Sequence, residues 1–351
     1  MSNKWFYLLA FCFMSATVTS CSKDDDAPPI APPSDGNIQI LNGGEGGPSA
    51  VNSVYLDLST DIQTSVARSS WDLGFYDGDL FRVSINNGNG ASAVAVDKTD
   101  INAVSLADID ADTLQIKLGE GDGSLKVIDD PVAADITKTA IAEISATDES
   151  NKVYVFNPAG GSHSIPFDET NLWKLRILRK GDGYTLQYAK LSETTFKTLE
   201  ITKDAKFNFK MVSLSDGAVV PGEPERTAWD IKWGWSMYYI NMGFITPYSF
   251  SDLIFINHLG GVQAAEVLTS SVSYAAYTDT SIANTTFSGS YDVIGSKWRS
   301  TQPATGATTD RFYVIKDAAG NIYKLKFNSM GAGDAGVRGK PELEYKLVKQ
   351  G

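Results

Sequence analysis

The chain has 351 residues, of which 42% are hydrophobic, and it carries a formal net charge of −12. This hydrophobic fraction excludes a disordered stalk, and the length suits one large domain or two of ordinary size. The negative charge argues against a nucleic-acid partner, which needs a basic surface, and against electrostatic docking on anionic lipid.

The first twenty residues are organised like a secretory signal. Lys4 gives a positive start, residues 5–14 form an apolar run, and small residues follow up to Ser20. The run is too short to cross a bilayer, which needs about twenty apolar residues. The ending "VTSC" resembles a bacterial lipoprotein signal, in which cleavage falls before the cysteine and the cysteine is lipidated. We therefore predict a signal peptide over 1–20 and membrane contact only through a lipid on Cys21; the alternative is an ordinary signal peptide.

Residues 21–36 are predicted to be a disordered tether. After Cys21 they read "SKDDDAPPIAPPSDG", in which prolines and aspartates leave too few apolar groups for a core. The acidic run after the cysteine resembles the signal that sends Bacteroidota lipoproteins to the outer face of the outer membrane. It predicts a surface-exposed, lipid-anchored protein, and the alternative is a generic solvated linker.

Beyond residue 37 the pattern is mostly that of β-strands. Apolar and polar residues alternate in segments rich in Val, Ile, Tyr and Phe, with Gly, Asn and Asp at their ends. The predicted strands are 53–60, 80–86, 151–157, 172–179, 183–191, 207–214, 253–257, 311–317 and 322–327. Short helices are predicted at 107–115, 132–144 and 260–268. The sequence therefore predicts a mainly β fold with antiparallel hairpins.

The chain also repeats itself. "RSSWDLGF" at 68–75 resembles "RTAWDIKW" at 226–233, and "INNGNGASAVAV" at 85–96 aligns without a gap on "INHLGGVQAAEV" at 256–267. The matches occur in the same order, and the second copy carries about thirteen extra residues between its Trp and its "IN" strand. We therefore predict two tandem domains, over 37–200 and 204–351, rather than a short-period solenoid.

These landmarks resemble the HmuY family, haem-binding lipoproteins of Bacteroidota. The shared pattern is a Trp-Asp-(Leu/Ile) strand, an Asn-containing turn and a closing hairpin with a Gly-rich bend, as in Trp71-Asp72-Leu73 and Trp229-Asp230-Ile231. The resemblance implies two antiparallel β domains of this family in tandem. It also implies capture of haem or a related porphyrin at the cell surface and delivery to an outer-membrane transporter, with the haem iron held by two side chains.

The family's histidine pair is not matched here. Asn157 stands where one ligand is expected, and only His163 and His258 are available as histidines. His163, six residues after Asn157 on the same loop, is the first candidate for an iron ligand. Met237 and Met242 are weaker candidates, because a thioether can ligate haem iron but methionines among aromatic residues usually pack. His258 is also weak, since it aligns with Asn87 in a turn.

An enzyme is not indicated. The sequence has no nucleophile elbow, phosphate-binding loop, HExxH motif or cysteine-rich zinc site. The alternative to haem capture is a non-enzymatic surface binding or adhesion lipoprotein that keeps the fold without ligating haem.

Overall fold

The protein is described by a computed structural model that covers residues 31–116, 122–131, 134–159 and 168–351. Within these ranges the strands, in chain order, are β1 Gly36–Ile40, β2 Asn52–Asp57, β3 Ile62–Ala67, β4 Leu73–Tyr76, β5 Val83–Ile85, β6 Ser92–Val96, β7 Val153–Asn157, β8 Trp173–Lys180, β9 Gly183–Lys190, β10 Lys197–Ile201, β11 Phe209–Ser213, β12 Ala218–Val220, β13 Ile231–Asn241, β14 Ile245–Ile256, β15 Gln263–Leu268, β16 Arg299–Thr301, β17 Ala304–Ala307, β18 Arg311–Lys316, β19 Ile322–Ser329 and β20 Glu342–Lys349.

Helices are short in the described ranges. A single α-helical turn, α1, spans Asp122–Leu125. The 3₁₀ helices are Gly47–Ser49, Arg68–Ser70, Asn87–Asn89, Ile101–Ala103, Leu106–Asp108, Ala111–Leu114, Asp148–Ser150, Glu169–Asn171, His258–Gly260 and Asp279–Asn284. The prediction of a mainly β, antiparallel fold is confirmed. None of the helices in the described part of the chain has the length and apolar character needed to span a bilayer.

The larger sheets form two equivalent pairs. In the first pair, a sheet ordered β10-β9-β8-β7-β6 accompanies one ordered β12-β11-β4-β5. In the second pair, a sheet ordered β1-β20-β19-β18-β15 accompanies one ordered β14-β13-β2-β3. We call these pairs the first and second sandwich. Each has a five-stranded layer, a four-stranded layer and a core between them, as face-to-face sheets require.

The two cores are built from strand residues that alternate toward the inside. In the first sandwich, Phe75 and Val212 of the four-stranded layer pack with Phe156 and Leu186 of the five-stranded layer. The core of the second sandwich is formed in the same way by Leu56, Ile231, Trp233, Tyr313, Tyr323, Leu343 and neighbouring residues. Burial of these apolar side chains is the main favourable contribution to the stability of both sandwiches.

The set of strands in each sandwich does not follow the predicted domain limits. At the start of the chain, β1 pairs with β20 and β2 pairs with β13 of the second sandwich, and β3 pairs with β2. After residue 204, β11 pairs with β4 of the first sandwich, and β12 pairs with β11. The second sandwich is therefore closed by the N-terminal strands, and Pro33–Gly351 form one compact unit. The division into domains 37–200 and 204–351 stays a prediction.

Two of the predicted helices are not formed. Residues 260–268 contain β15, which pairs with β18 over its whole length. The described part of 132–144 consists of turns and bends, held where Asp129 accepts from Ala140 N and Tyr154 from Ala142 N. The segment 107–115 contains two 3₁₀ turns. Tertiary hydrogen bonds outweigh the helix propensity of the alanines in these segments.

The extra residues of the second copy extend one hairpin. Strands β13 and β14 have 11 and 12 residues, whereas their counterparts β4 and β5 have 4 and 3. Near the sandwich, Trp233 and Trp235 are buried, but Met242 and Phe244 at the tip are 59% and 49% exposed. Most of the aromatic residues of this segment are therefore core, and the tip is an exposed apolar feature.

Candidate functional site

The aspartate of the Trp-Asp motif makes an equivalent hydrogen bond in the four-stranded layer of each sandwich. Asp72 Oδ2 accepts a hydrogen bond from Leu214 N at 2.7 Å, and Asp230 Oδ2 accepts one from Leu58 N at 2.8 Å. Each carboxylate thus fixes the neighbouring strand of its layer: β11 beside β4 for Asp72, and β2 beside β13 for Asp230. Burial raises the pKa of Asp230 to about 8 and raises that of Asp72 as well. These aspartates are structural, because each is directed at a backbone amide within its own sandwich.

A cavity of about 180 Å³ lies where the two landmark regions face one another. Its wall includes Trp71 of the first sandwich and Trp229 of the second, together with Tyr55 of β2 and Met211 of β11. The two tryptophans are 9% and 8% exposed, and Tyr55 packs edge-on against Trp229 with ring centroids 5.0 Å apart. This internal repeat therefore places a pair of equivalent aromatic side chains on one cavity.

One side of the cavity carries two opposite charges. Lys232 follows Trp229 on β13, at the position that Gly74 occupies in the first copy, and Glu223 lies on the segment after β12. Burial raises the pKa of Glu223 to about 7 and lowers that of Lys232, and each is partly offset by the other's charge. Glu223 Oε1 accepts from Phe209 N at 3.2 Å. The Lys232 ammonium lies 5.4 Å from the centroid of the Tyr55 ring.

Two polar atoms on the cavity wall have no hydrogen-bond partner. These are the indole Nε1 of Trp229 and the side-chain oxygen Oδ1 of Asn87. Buried polar atoms are normally satisfied by protein, water or a ligand. The cavity wall therefore contains an unpaired donor and an unpaired acceptor in addition to the two charged groups.

His258 lies in the same cavity wall, in the turn where the alignment with Asn87 predicted it. Burial lowers the pKa of its imidazole, so the ring is neutral at pH 7. The ring faces Tyr291, with centroids 5.7 Å apart. A neutral imidazole can ligate a metal, but in the described residues no group of three or more His, Cys, Asp or Glu side chains could hold a metal ion.

The other predicted ligand residues are not brought together with His258. Met237 is 1% exposed and packs in a small core cluster with Ile116, Val127, Ile128 and Trp235, so its thioether is not available to a ligand. Met242 is on the exposed hairpin tip. His163 and Cys21, the predicted lipidation site, lie outside the described residues. Asn157, where the resemblance places a ligand, is fully buried at the end of β7.

The cavity does not fit a porphyrin. Pockets for drug-sized ligands have volumes of roughly 300–1,000 Å³, and the cavity between the sandwiches has about 180 Å³. A bound porphyrin therefore needs a different surface. The exposed tip of the β13–β14 hairpin is one such surface in the described residues.

Sequence reasoning did not find Glu223 and Lys232. They are nine residues apart and belong to no motif. Comparison of the two copies did give an indication. Where the first copy has Gly74, the second has Lys232, between Trp229 and Trp233. Such a lysine is costly to bury without a partner.

Comparison with known proteins gives one match. The family model described as HmuY protein matches residues 49–345 as a single span, which does not confirm two tandem copies. Searches of curated proteins and of solved structures found no match. Because the family match covers most of the chain, this protein belongs to the HmuY family.

Proposed function

We propose that this chain is a surface lipoprotein that captures haem or a related porphyrin for uptake. The observation that carries the proposal is the family match over residues 49–345. In this proposal Cys21 carries the lipid, residues 21–36 are the tether, and the protein stands on the outer face of the outer membrane. An outer-membrane transporter would receive the ligand.

Two of the predicted iron ligands remain candidates. His163 is the first, and Met242 is the second because its side chain is exposed, as is that of Phe244 two residues later on the same hairpin tip. Methionine sulfur is an established axial ligand of haem iron, and an aromatic neighbour can pack against the porphyrin face. Met237 is no longer a candidate, because it belongs to the core.

The test is a titration of a soluble form that begins after Cys21 with haemin, followed by absorbance around the Soret band. We expect a saturable shift in at least one redox state. His163→Ala and Met242→Ala should each weaken it if the residue is a ligand. His258→Asn, which copies Asn87 of the first sandwich, and Val337→Ala, a change at another exposed apolar residue, are the matched controls. No saturable change in either redox state rejects haem capture.

The location is tested separately by proteolysis of intact cells. A protein on the outer face should be cleaved without breaking the outer membrane. Protection until that membrane is broken would contradict the interpretation of "SKDDD" as a surface signal.

The second candidate function is a non-enzymatic surface binding or adhesion lipoprotein without haem ligation. It is favoured by Asn157 at the expected ligand position and by the size of the cavity between the sandwiches. A negative haemin titration with a protein that is surface-exposed would select this alternative.

A further inference from the structure

Glu223 and Lys232 bring opposite charges to one cavity without forming a direct ion pair with each other. Both line the space between the sandwiches, and both have pKa values displaced by burial. In the part of the chain that the structure describes, the Lys232 ammonium makes no hydrogen bond, and it lies 5.4 Å from the centroid of the Tyr55 ring. The two side chains are half-buried, and each charge stabilises the other across the cavity. A ligand that carries one group of each sign is complementary to both residues.

Part of the surrounding wall is aromatic. Trp71, Trp229 and Tyr55 are all at least nine-tenths buried, and Phe209 lies beside them. The indole N–H of Trp229, a residue of this wall, has no hydrogen-bond partner. An apolar wall with a few fixed polar groups is the usual composition of a small-molecule site.

The size of the cavity limits what can enter. Its volume of about 180 Å³ is close to the roughly 150 Å³ of an engineered cavity that holds a single benzene ring. A nucleotide, an oligosaccharide or a porphyrin is too large. A ligand with one ring or one branched aliphatic group is of the right size.

We propose that this cavity binds a small zwitterion with an apolar body, of the α-amino acid class, separately from any porphyrin. The ligand carboxylate lies at the Lys232 ammonium and the indole N–H of Trp229. The ligand ammonium lies at the Glu223 carboxylate, and the apolar body packs between Trp71 and Tyr55. A dicarboxylate is disfavoured by Glu223 and a diamine by Lys232, because each would place like charges together.

Calorimetric titration of the soluble chain with L-phenylalanine and L-leucine tests the proposal. We expect saturable heat with at least one of them, together with a change in tryptophan fluorescence, since Trp71 and Trp229 line the cavity. Phenethylamine lacks the carboxylate and 3-phenylpropionate lacks the ammonium. Each should bind at least about tenfold more weakly than L-phenylalanine, a difference of about 1.4 kcal/mol. This series uses the unaltered protein and needs no variant to fold.

Variants locate the binding. Lys232→Met and Glu223→Gln should each weaken binding of the amino acid at least about tenfold, while near-ultraviolet circular dichroism stays that of the native protein. Glu225→Gln removes an exposed charge two residues away and should leave binding unchanged.

No heat and no fluorescence change with either amino acid at millimolar concentration would overturn the proposal. Equal binding of 3-phenylpropionate and L-phenylalanine would overturn the zwitterion assignment. The haemin titration reports on a different surface, so the two outcomes are independent.

Discussion

Asn86 and Asn257 make the same pair of hydrogen bonds in the two sandwiches. The side-chain amide of Asn86 donates to the backbone oxygens of Arg68 and Trp71, and that of Asn257 donates to those of Arg226 and Trp229. Each asparagine thereby links the turn that follows one strand, β5 or β14, to the segment that precedes the neighbouring strand, β4 or β13. The equivalence explains why the "IN" and "RxxW" segments are the parts of the two copies that are most alike.

The two asparagines are not equal in their remaining bonds. Asn257 Oδ1 also accepts from Gly260 N at 2.9 Å and from Asn208 Nδ2 at 3.0 Å, whereas Asn86 Oδ1 is buried without a partner. We expect Asn257→Ala to lower the free energy of unfolding by about 2–4 kcal/mol and Asn86→Ala by about 1–3 kcal/mol. Urea denaturation of both variants measures this. An equal or larger loss in Asn86→Ala would contradict the difference.

Asp230 should make stability depend on pH. Its pKa is raised to about 8 by burial and by the nearby charges of Asp57 and Asp317. Between the ordinary aspartate pKa and about 8, the folded state holds a proton that the unfolded state has released, so stability falls as pH rises. Asp230→Asn keeps an oxygen for Leu58 N and removes the charge. We expect the variant to gain about 3–4 kcal/mol relative to the parent between pH 5 and pH 8, measured by denaturation at both values. Asp310→Asn, an exposed change, is the control; no gain in Asp230→Asn would contradict the assignment.

Met237 and Met242 should differ sharply in their effect on stability. Met237 is enclosed in the cluster with Trp235, and Met242 is exposed. Met237→Ala should cost about 2–5 kcal/mol through lost burial and a cavity, whereas Met242→Ala should stay within about 0.5 kcal/mol. Thermal and urea denaturation of the two variants check this. A stable Met237→Ala protein would mean that the side chain is not packed as described.

The N-terminal strand should stabilise the C-terminal strand. Residues Gly36–Ile40 pair with Lys346 through Glu342 along the edge of the second sandwich. A chain starting at Leu41 should unfold about 2–5 kcal/mol more easily than one starting at Pro33, because these backbone bonds are lost. The amides of β20 should exchange faster in the shorter chain. Unchanged exchange in β20, with changes elsewhere, would show that the pairing does not hold this strand.

Much of the fold could be predicted from alternation alone. The hairpin predicted at 172–191 is β8 and β9, and the predicted strands 311–317 and 322–327 are β18 and β19. In these segments apolar and polar residues alternate, and turn-forming residues separate the two strands, so the local sequence is enough to predict each hairpin. Residues 260–268 could not be assigned correctly, because their alanines are held as a strand by pairing with β18. Pairing between the ends of the chain leaves no trace in local sequence, so the composition of the second sandwich was not predictable.

The candidate site was less accessible to prediction. Its aromatic wall comes from residues of the repeated motif, which the sequence indicated as structural. Glu223 and Lys232 acquire significance only because β12 and β13 end and begin at the same cavity. Their chemistry depends on burial by residues from both sandwiches, and no local pattern encodes that.

The order of the strands in the second sandwich has a consequence for engineering. Its strands come from the C-terminal part of the chain, from β13 to β20, and from the N-terminal strands β1 to β3. The two ends of the chain meet where Leu347 N donates to Asp35 O at 3.0 Å. If the two chain ends were joined, the present termini would lie within the second sandwich. A circular permutant, joined from Gly351 to Pro33 by a short linker and reopened after β12, would carry each sandwich as one uninterrupted stretch of sequence. It would allow each half to be expressed and examined alone.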